Sequence, residues 1–141
     1  MPKNPPEGIQ RVTVRIAYED PRAAIEFLKR AFGFPEIDGQ RLETSDGTFI
    51  LTEVRIGDAY IMIGRAGAHD IASPRASGLS TESLMVYVDD VDAHFQVAQA
   101  NGAVIVQEPA DQYWGDRRYE AKDLEGHLWF FHERTWDVPR E

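Results

Sequence analysis

The sequence predicts an α+β protein built from two similar βαβββ modules. Three pairs of landmarks recur along the 141-residue chain, each pair separated by 69 residues. The pairs are the helix-capping acids Asp20 and Asp89, the helix-ending glycines Gly33 and Gly102, and the turn glycines Gly57 and Gly126. Recurrence at one period indicates an internal duplication. Each half has only about 60 residues, so we expect the halves to pack on each other or on a second chain.

Module one, about residues 9–63, begins with a strand and a helix. Residues 11–17 alternate β-branched and polar side chains, which is typical of a half-buried strand. Asp20 and Pro21 suit the N-cap and first position of a helix. Apolar residues at 24, 27, 28 and 31 form one stripe on that helix, and Gly33 suits its left-handed C-cap. Three strands are expected after it, at about 36–43, 49–56 and 59–63, separated by Asp–Gly and Gly–Asp turn signals.

Module two, about residues 81–133, repeats this order of elements. The small, polar segment 64–80 before it lacks a sustained period and is expected to be a linker. A strand at 84–88 leads to a helix that is capped by Asp89–Asp90 and ends at Gly102. Strands are expected at 103–107, 117–122 and 127–132, the last two joined by a turn at 123–126. We expect one domain over residues 1–141, with residues 134–141 as a C-terminal tail.

Composition and charge exclude several classes of protein. The 24 acidic and 15 basic residues give a net charge of -9, which disfavours nucleic acid and anionic membrane surfaces as partners. The chain has no cysteine, which excludes disulfides, thiol nucleophiles and thiolate zinc sites. No apolar run approaches the roughly 18 residues of a membrane span, and the opening residues lack the apolar core of a signal peptide. We therefore expect a cytoplasmic protein.

The duplicated unit resembles the vicinal oxygen chelate superfamily, which includes glyoxalase I, extradiol dioxygenases, and fosfomycin- and bleomycin-resistance proteins. The resemblance spans about residues 12–133. Its motifs are the segments Glu19–Phe34, Val86–Asp92 with Asn101–Ala103, and Trp114–Tyr119 with Asp123–Trp129. The last is similar to the closing hairpin of the bleomycin-resistance-like branch. The resemblance implies curled mixed sheets that form a cleft, and a homodimer with or without exchange of modules.

In metal enzymes of this superfamily, His, Gln or Glu side chains from four strands hold an ion in the cleft. The matching positions lie near Thr13, Met62, Ser83 and Phe130, none of which is a usual metal ligand. The resemblance therefore implies a metal-free binder with no cofactor.

A displaced metal site is the alternative, and Glu82, His132 and Glu133 are its candidate ligands. Such a site would fit a glyoxalase-type lyase or isomerase, or a fosfomycin-resistance-type transferase. His127 and His132 are five positions apart on one predicted strand and point to opposite faces, so a shared metal between them is not expected. No nucleophile elbow, zinc-protease, P-loop or dinucleotide motif occurs in the sequence.

Aromatic residues give the strongest indication of a binding site. Six large rings occur between residues 113 and 131. With a tight turn at 123–126, Phe130 pairs with Tyr119, and the resemblance places both on the cleft face, while Trp129 and Phe131 pack on the helices. Arg117 is expected to orient a ligand carboxylate or to stack on an aromatic ligand, and a salt bridge to Asp116 or Glu120 is the alternative. The predicted ligand-binding residues are Thr13, Met62, Met85, Tyr113, Trp114, Arg117, Tyr119 and Phe130.

These observations predict a metal-independent protein that sequesters a hydrophobic or cationic aromatic small molecule in an aromatic-lined groove. The net charge would attract a cationic ligand. Interface burial explains Trp114 equally well, and Met62 and Met85 would also suit a core. A third hypothesis is a structural or interaction module whose groove is filled by its own side chains, such as Trp114.

Overall fold

The computed structural model describes residues 2–137, which form two four-stranded mixed sheets with helices. Module one contains β1 (Arg15–Tyr18), α1 (Pro21–Phe27), β2 (Leu42–Glu43), β3 (Phe49–Ile56) and β4 (Ala59–Arg65). A short helix, α2 (Pro74–Ser77), lies between the modules. Module two contains β5 (Ser83–Tyr87), α3 (Val91–Ala100), β6 (Val104–Asp111), β7 (Asp116–Lys122) and β8 (Leu128–Arg134). Of the predicted tail, residues 138–141 lie outside the described residues.

The two sheets share one topology. Their strand orders are β1-β4-β3-β2 and β5-β8-β7-β6. In each sheet the first and last strands of the module pair in parallel, and the remaining neighbours are antiparallel. This arrangement confirms the predicted pair of βαβββ modules. Within residues 2–137, no helix combines the length and apolar character needed to cross a membrane.

The helix signals are mostly confirmed, with one correction. Asp20 caps α1 by accepting a hydrogen bond from the backbone of Ala23, and Gly33, at φ 77°, follows a π-helical extension over Leu28–Phe32. The cap of α3 is Asp90, whose carboxylate accepts from the backbone of Ala93. Asp90, and not Asp89, is therefore the counterpart of Asp20. The two capping residues are one residue further apart in the sequence than the paired glycines are.

Several strand boundaries differ from the prediction. β1 begins at residue 15 instead of 11, and the expected strand at 36–43 is reduced to two residues and an isolated bridge between Glu36 and Val54. Side chains account for part of this difference. The Gln10 amide pairs with the backbone N and O of Tyr60, at 2.9 and 3.0 Å, where a regular strand would use its main chain. The linker contains two short helical segments, Ala68–Asp70 and Pro74–Ser77.

Rings from both modules meet in one core. Phe32 of module one lies 5.5 Å from Trp129 and 4.8 Å from Phe131, measured between ring centroids, and Phe34 lies 5.5 Å from Trp129. All four side chains are buried. This confirms that Trp129 and Phe131 pack towards the helices. The opposite face of the module-two sheet carries Met85, Tyr87, Arg118, Glu120, Phe130 and His132, and we call it the open face.

The predicted pairing of Tyr119 with Phe130 is wrong by one residue. Tyr119 is opposite Phe131, and Phe130 is opposite Glu120. The reason is the turn: Asp123 pairs with His127, and Gly126 takes a left-handed conformation at φ 97°. The loop is therefore a three-residue loop closed by glycine, one residue longer than a tight two-residue turn. A shift of one residue moves a side chain to the other face of the sheet.

The same turn fastens the two modules together. The Tyr18 hydroxyl donates to Asp123 at 2.5 Å. The Glu125 carboxylate, which is fully buried, accepts from the backbone N–H groups of Glu19 and Asp20, both at 2.8 Å. It also accepts from the Ser73 hydroxyl in the linker at 2.5 Å. One hairpin turn of module two thus binds the start of α1 and the linker.

Candidate functional site

The open face of module two holds an arginine between two aromatic rings. The guanidinium carbon of Arg118 lies 5.2 Å from the ring centroid of Trp114 and 5.2 Å from that of Phe130. Both distances are within the range of cation–π attraction. Glu120 forms an ion pair with the same guanidinium at 3.1 Å. We call Trp114, Arg118 and Phe130 the ring stack.

A buried carboxylate fixes one end of the ring stack. Asp116 Oδ2 accepts hydrogen bonds from the Tyr87 hydroxyl at 2.7 Å and from the Trp114 indole N–H at 3.0 Å. The same oxygen lies 3.0 Å from His132 Nδ1, and Asp116 Oδ1 lies 3.0 Å from Arg134 Nε. Burial opposes ionisation, but the hydrogen bonds and the Arg134 charge hold the pKa of Asp116 below its ordinary value. The carboxylate therefore orients the Trp114 indole.

His132 is the buried partner of this carboxylate. Burial lowers the pKa of His132 below its ordinary value, against the opposing effect of Asp116. A neutral imidazole donates from Nδ1 to Asp116, which leaves Nε2 as an acceptor. Within residues 2–137, Nε2 has no hydrogen-bond partner.

Trp114 and Phe130, two of the predicted ligand-binding residues, both lie against the guanidinium of Arg118, while the predicted Arg117 points elsewhere. Arg117 forms ion pairs with Asp92 at 3.1 Å and with Asp111 at 3.2 Å, away from the ring stack. Arg118, its neighbour, faces the rings. Arg118 is opposite His132 in the sheet and therefore lies on the open face.

Tyr119 is also displaced from the predicted site. Its ring is fully buried and lies 5.1 Å from the ring of Phe131, measured between centroids. Its hydroxyl lies 2.5 Å from Nδ1 of His94 on α3, and burial raises the pKa of Tyr119 well above its ordinary value. Tyr119 is therefore part of the core and presents no ring surface on the open face.

The remaining predicted residues lie at the surface or in the other module. Tyr113 is 86% exposed and packs its ring edge-on against Trp114, with centroids 5.1 Å apart. Met85 is 63% exposed and is opposite Phe130 on the open face. Thr13 and Met62 are half-buried and belong to module one, where Met62 is opposite Arg15.

The side chains proposed for a displaced metal site do not converge. Glu82 lies beside His127, at the opposite end of β5 from His132, roughly 15 Å away at about 3.3 Å per residue. Glu133 accepts from the backbone of Val91 on the helix side of the sheet. In the part of the chain that the structure describes, no group of three or more His, Asp or Glu side chains is placed to hold a metal ion. Glu82, His132 and Glu133 are therefore not placed to share one ion.

Comparison with known proteins gives relatives along most of the chain. Uncharacterized proteins of Mycobacterium bovis and Mycobacterium tuberculosis are each 32% identical over 119 residues, which cover 81% of this chain and 76% or 68% of theirs. TioX from Micromonospora sp. ML1 is 35% identical, with a TM-score of 0.68 over 92% of this chain and 100% of its own. TnmS3, an antibiotic binding protein from Streptomyces sp. CB03234, is 18% identical, with a TM-score of 0.67 over 91% and 98%.

A protein-family model also matches most of the chain. The model of the glyoxalase/bleomycin resistance protein/dioxygenase superfamily matches residues 8–131, which include both modules and the ring stack. The chain belongs to the glyoxalase/bleomycin resistance protein/dioxygenase superfamily.

Proposed function

We propose that this protein binds a flat aromatic small molecule at the ring stack and sequesters it without changing it. The observation that carries the proposal is Arg118 held between Trp114 and Phe130, with Asp116 orienting the indole. Two large rings on one open sheet face, one of them fixed by a buried carboxylate, form a preorganised stacking surface. Stacking on such rings contributes roughly 1–3 kcal/mol per ring, by analogy with base stacking on aromatic side chains.

The guanidinium that packs on the two rings indicates the class of ligand. A guanidinium is a flat cation, and Arg118 lies at the same distance from both rings. A flat aromatic cation would use the same ring faces by taking the place of the guanidinium, and the net charge of -9 attracts cations to the molecule. Glu120 offers a carboxylate beside the rings. We therefore favour a hydrophobic or cationic aromatic ligand, bound without a metal ion.

The relatives support this proposal. TnmS3 is described as an antibiotic binding protein, and the superfamily is named in part for bleomycin resistance. Those descriptions apply to the relatives, and antibiotic binding by this chain is part of the proposal.

We further propose that the protein works as a homodimer, with or without exchange of modules. Met85 and Tyr87 are 63% and 55% exposed on the open face, and Val12 and Val14 are exposed beside module one. A second copy would cover such apolar surface. If it faced the open face, the second copy would also enclose a ligand on the ring stack.

Calorimetric titration tests the proposed function. The probes are bleomycin and acridine orange, a flat aromatic cation, each titrated with and without EDTA. We expect saturable binding that EDTA does not change, and a loss of about tenfold or more in affinity for Phe130→Ala. Val97→Ala, an exposed apolar substitution on α3, is the matched control and should bind as the natural protein does. Absence of binding by both probes, or equal binding by Phe130→Ala, would contradict the proposal.

A further inference from the structure

A second cavity, separate from the ring stack, lies between β1 and the linker. Its volume is about 380 Å³, which is within the range of roughly 300–1,000 Å³ typical of small-molecule sites. It is lined by charged and apolar residues, among them Arg15, Asp70, Ile71, Leu79, Glu82 and His127.

Arg15 supplies a positive charge without a partner. No carboxylate of residues 2–137 lies within ion-pair distance of its guanidinium. Its Nε is buried and has no hydrogen-bond partner among those residues. The guanidinium lies against Gly64, where a Cβ atom would overlap it. Arg15 therefore packs its guanidinium on a glycine. Its N–H groups have no acceptor among residues 2–137 and could donate to a bound molecule.

Glu82, an acidic residue that also lines the cavity, already has hydrogen-bond partners. Glu82 Oε1 lies 2.9 Å from Nδ1 of His127, and Oε2 accepts from the Thr81 hydroxyl at 2.9 Å. The other ring nitrogen of His127 lies 2.7 Å from the carbonyl oxygen of Ala17, so it donates there. Glu82 and His127 therefore lie within hydrogen-bond distance of each other and form a polar wall.

Asp70 supplies the opposite charge. No cation of the described chain forms an ion pair with it, so it is not paired with Arg15 although both line the cavity. Asp70 has a φ of 59°, and His69 before it has 56°. Non-glycine residues rarely adopt this left-handed conformation, and two in succession indicate a constrained loop.

We propose that this cavity binds a small zwitterion, a free α-amino acid with an apolar side chain. The ligand carboxylate accepts two hydrogen bonds from the Arg15 guanidinium, in the fork geometry that arginine offers. The ligand ammonium pairs with Asp70, and its side chain packs on Ile71 and Leu79. A zwitterion is the ligand class that matches both unpaired charges at once, while a simple anion or cation would match only one of them.

The test uses three probes that differ in one charge each. L-Leucine is titrated into the full chain and followed by protein amide NMR shifts, beside L-leucinamide, which lacks the carboxylate, and N-acetyl-L-leucine, which lacks the ammonium group. We expect saturable shifts at residues 15–17 and 70–82 with leucine, and at least roughly tenfold weaker binding of the other two.

Four variants complete the design. Arg15→Gln and Asp70→Asn should each weaken leucine binding by roughly tenfold or more. Arg65→Gln makes the same charge change at an exposed arginine on β4 and should have no effect. Phe130→Ala should also leave leucine binding unchanged, since it alters only the ring stack.

Failure of leucine to saturate any shift would overturn the proposal. Binding of leucinamide and N-acetyl-leucine as tight as that of leucine would also overturn it, because the cavity would then recognise only the apolar side chain. Unchanged binding by Asp70→Asn would remove the ammonium site and with it the proposed zwitterion. If Arg15→Gln does not fold, leucinamide and Asp70→Asn decide the matter on a folded chain.

Discussion

Asp116 holds four groups at the end of the ring stack, and its removal tests how far that cluster stabilises the fold. Asp116→Asn leaves the Arg134 charge without its partner and weakens the hydrogen bonds to Tyr87 and His132. Because the carboxylate is buried, we expect the free energy of unfolding to fall by about 2–4 kcal/mol. The measurement is urea denaturation. Asp111→Asn, at an exposed ion pair, should change it by less than about 0.5 kcal/mol, and equal effects would contradict the account.

Two buried histidines predict a loss of stability in mild acid. Burial lowers the pKa of both His94 and His132 below 6.5, so the unfolded chain binds protons that the folded chain does not. This contribution is present above about pH 6.5 and is lost as the pH falls towards the lowered values, by up to about 1.4 kcal/mol per pH unit for each histidine. Urea denaturation between pH 7.5 and 5 measures it.

The slope with pH, and not the absolute stability, identifies the groups. His94→Gln should reduce the slope, because it removes one of the two groups whose pKa burial lowers. Asp116 also has a lowered pKa, but its contribution is lost only below about pH 3.8, outside this window. A slope that His94→Gln does not reduce would show that His94 is not one of the titrating groups.

Residue types in the candidate site were predictable, but the faces they occupy were not. Aromatic residues are concentrated around the β7–β8 hairpin, and Trp114 and Phe130 both lie 5.2 Å from the guanidinium carbon of Arg118. The predicted face of Tyr119 is wrong because the loop between β7 and β8 is one residue longer than the tight turn assumed. Gly126 was the residue that could have corrected this prediction. A left-handed glycine is typical of the last position of a three-residue loop, and such a loop places Tyr119 opposite Phe131 instead of Phe130.

The hairpin turn between β7 and β8 is the element that joins the modules, and Glu125 is its central residue. Glu125→Ala removes the acceptor for two backbone N–H groups at the start of α1 and for the Ser73 hydroxyl. We expect a loss of about 2–4 kcal/mol in the free energy of unfolding, measured by urea denaturation. Leu124→Ala, in the same turn but largely exposed, should cost less than about 1 kcal/mol. Similar losses in both variants would mean that the turn does not fasten the modules.

At the level of elements, local signals predicted more than long-range ones did. The cap at Asp20, the glycines at 33 and 102 and the strand at 49–56 follow from neighbouring residues, and the structure confirms them. Strand ends and β2 depend on pairing partners elsewhere in the chain, as with Gln10 and Tyr60. The linker helices also escaped the sequence pattern, since four residues are too few to show a period.

At the scale of the whole molecule, the open face predicts self-association. Met85→Lys places a charge in the centre of the apolar surface that we assign to the dimer, and it should raise the dimer dissociation constant by about tenfold or more. Val97→Lys, an equally charged change on the exposed side of α3, is the control and should leave the dimer intact. Sedimentation velocity measures both. A natural chain that stays monomeric at high concentration would contradict the proposed dimer.

The central claim is that a flat aromatic molecule binds between the rings of the open face. Isotope-filtered NOE measurement tests it most directly, with phenylalanine and tryptophan labelled with ¹³C and acridine orange as the bound probe. The account predicts NOEs from the ring protons of the dye to Phe130 and to the Trp114 indole, and none to the buried Trp129. Binding with NOEs to other aromatic residues, and none to Phe130 or Trp114, would contradict it.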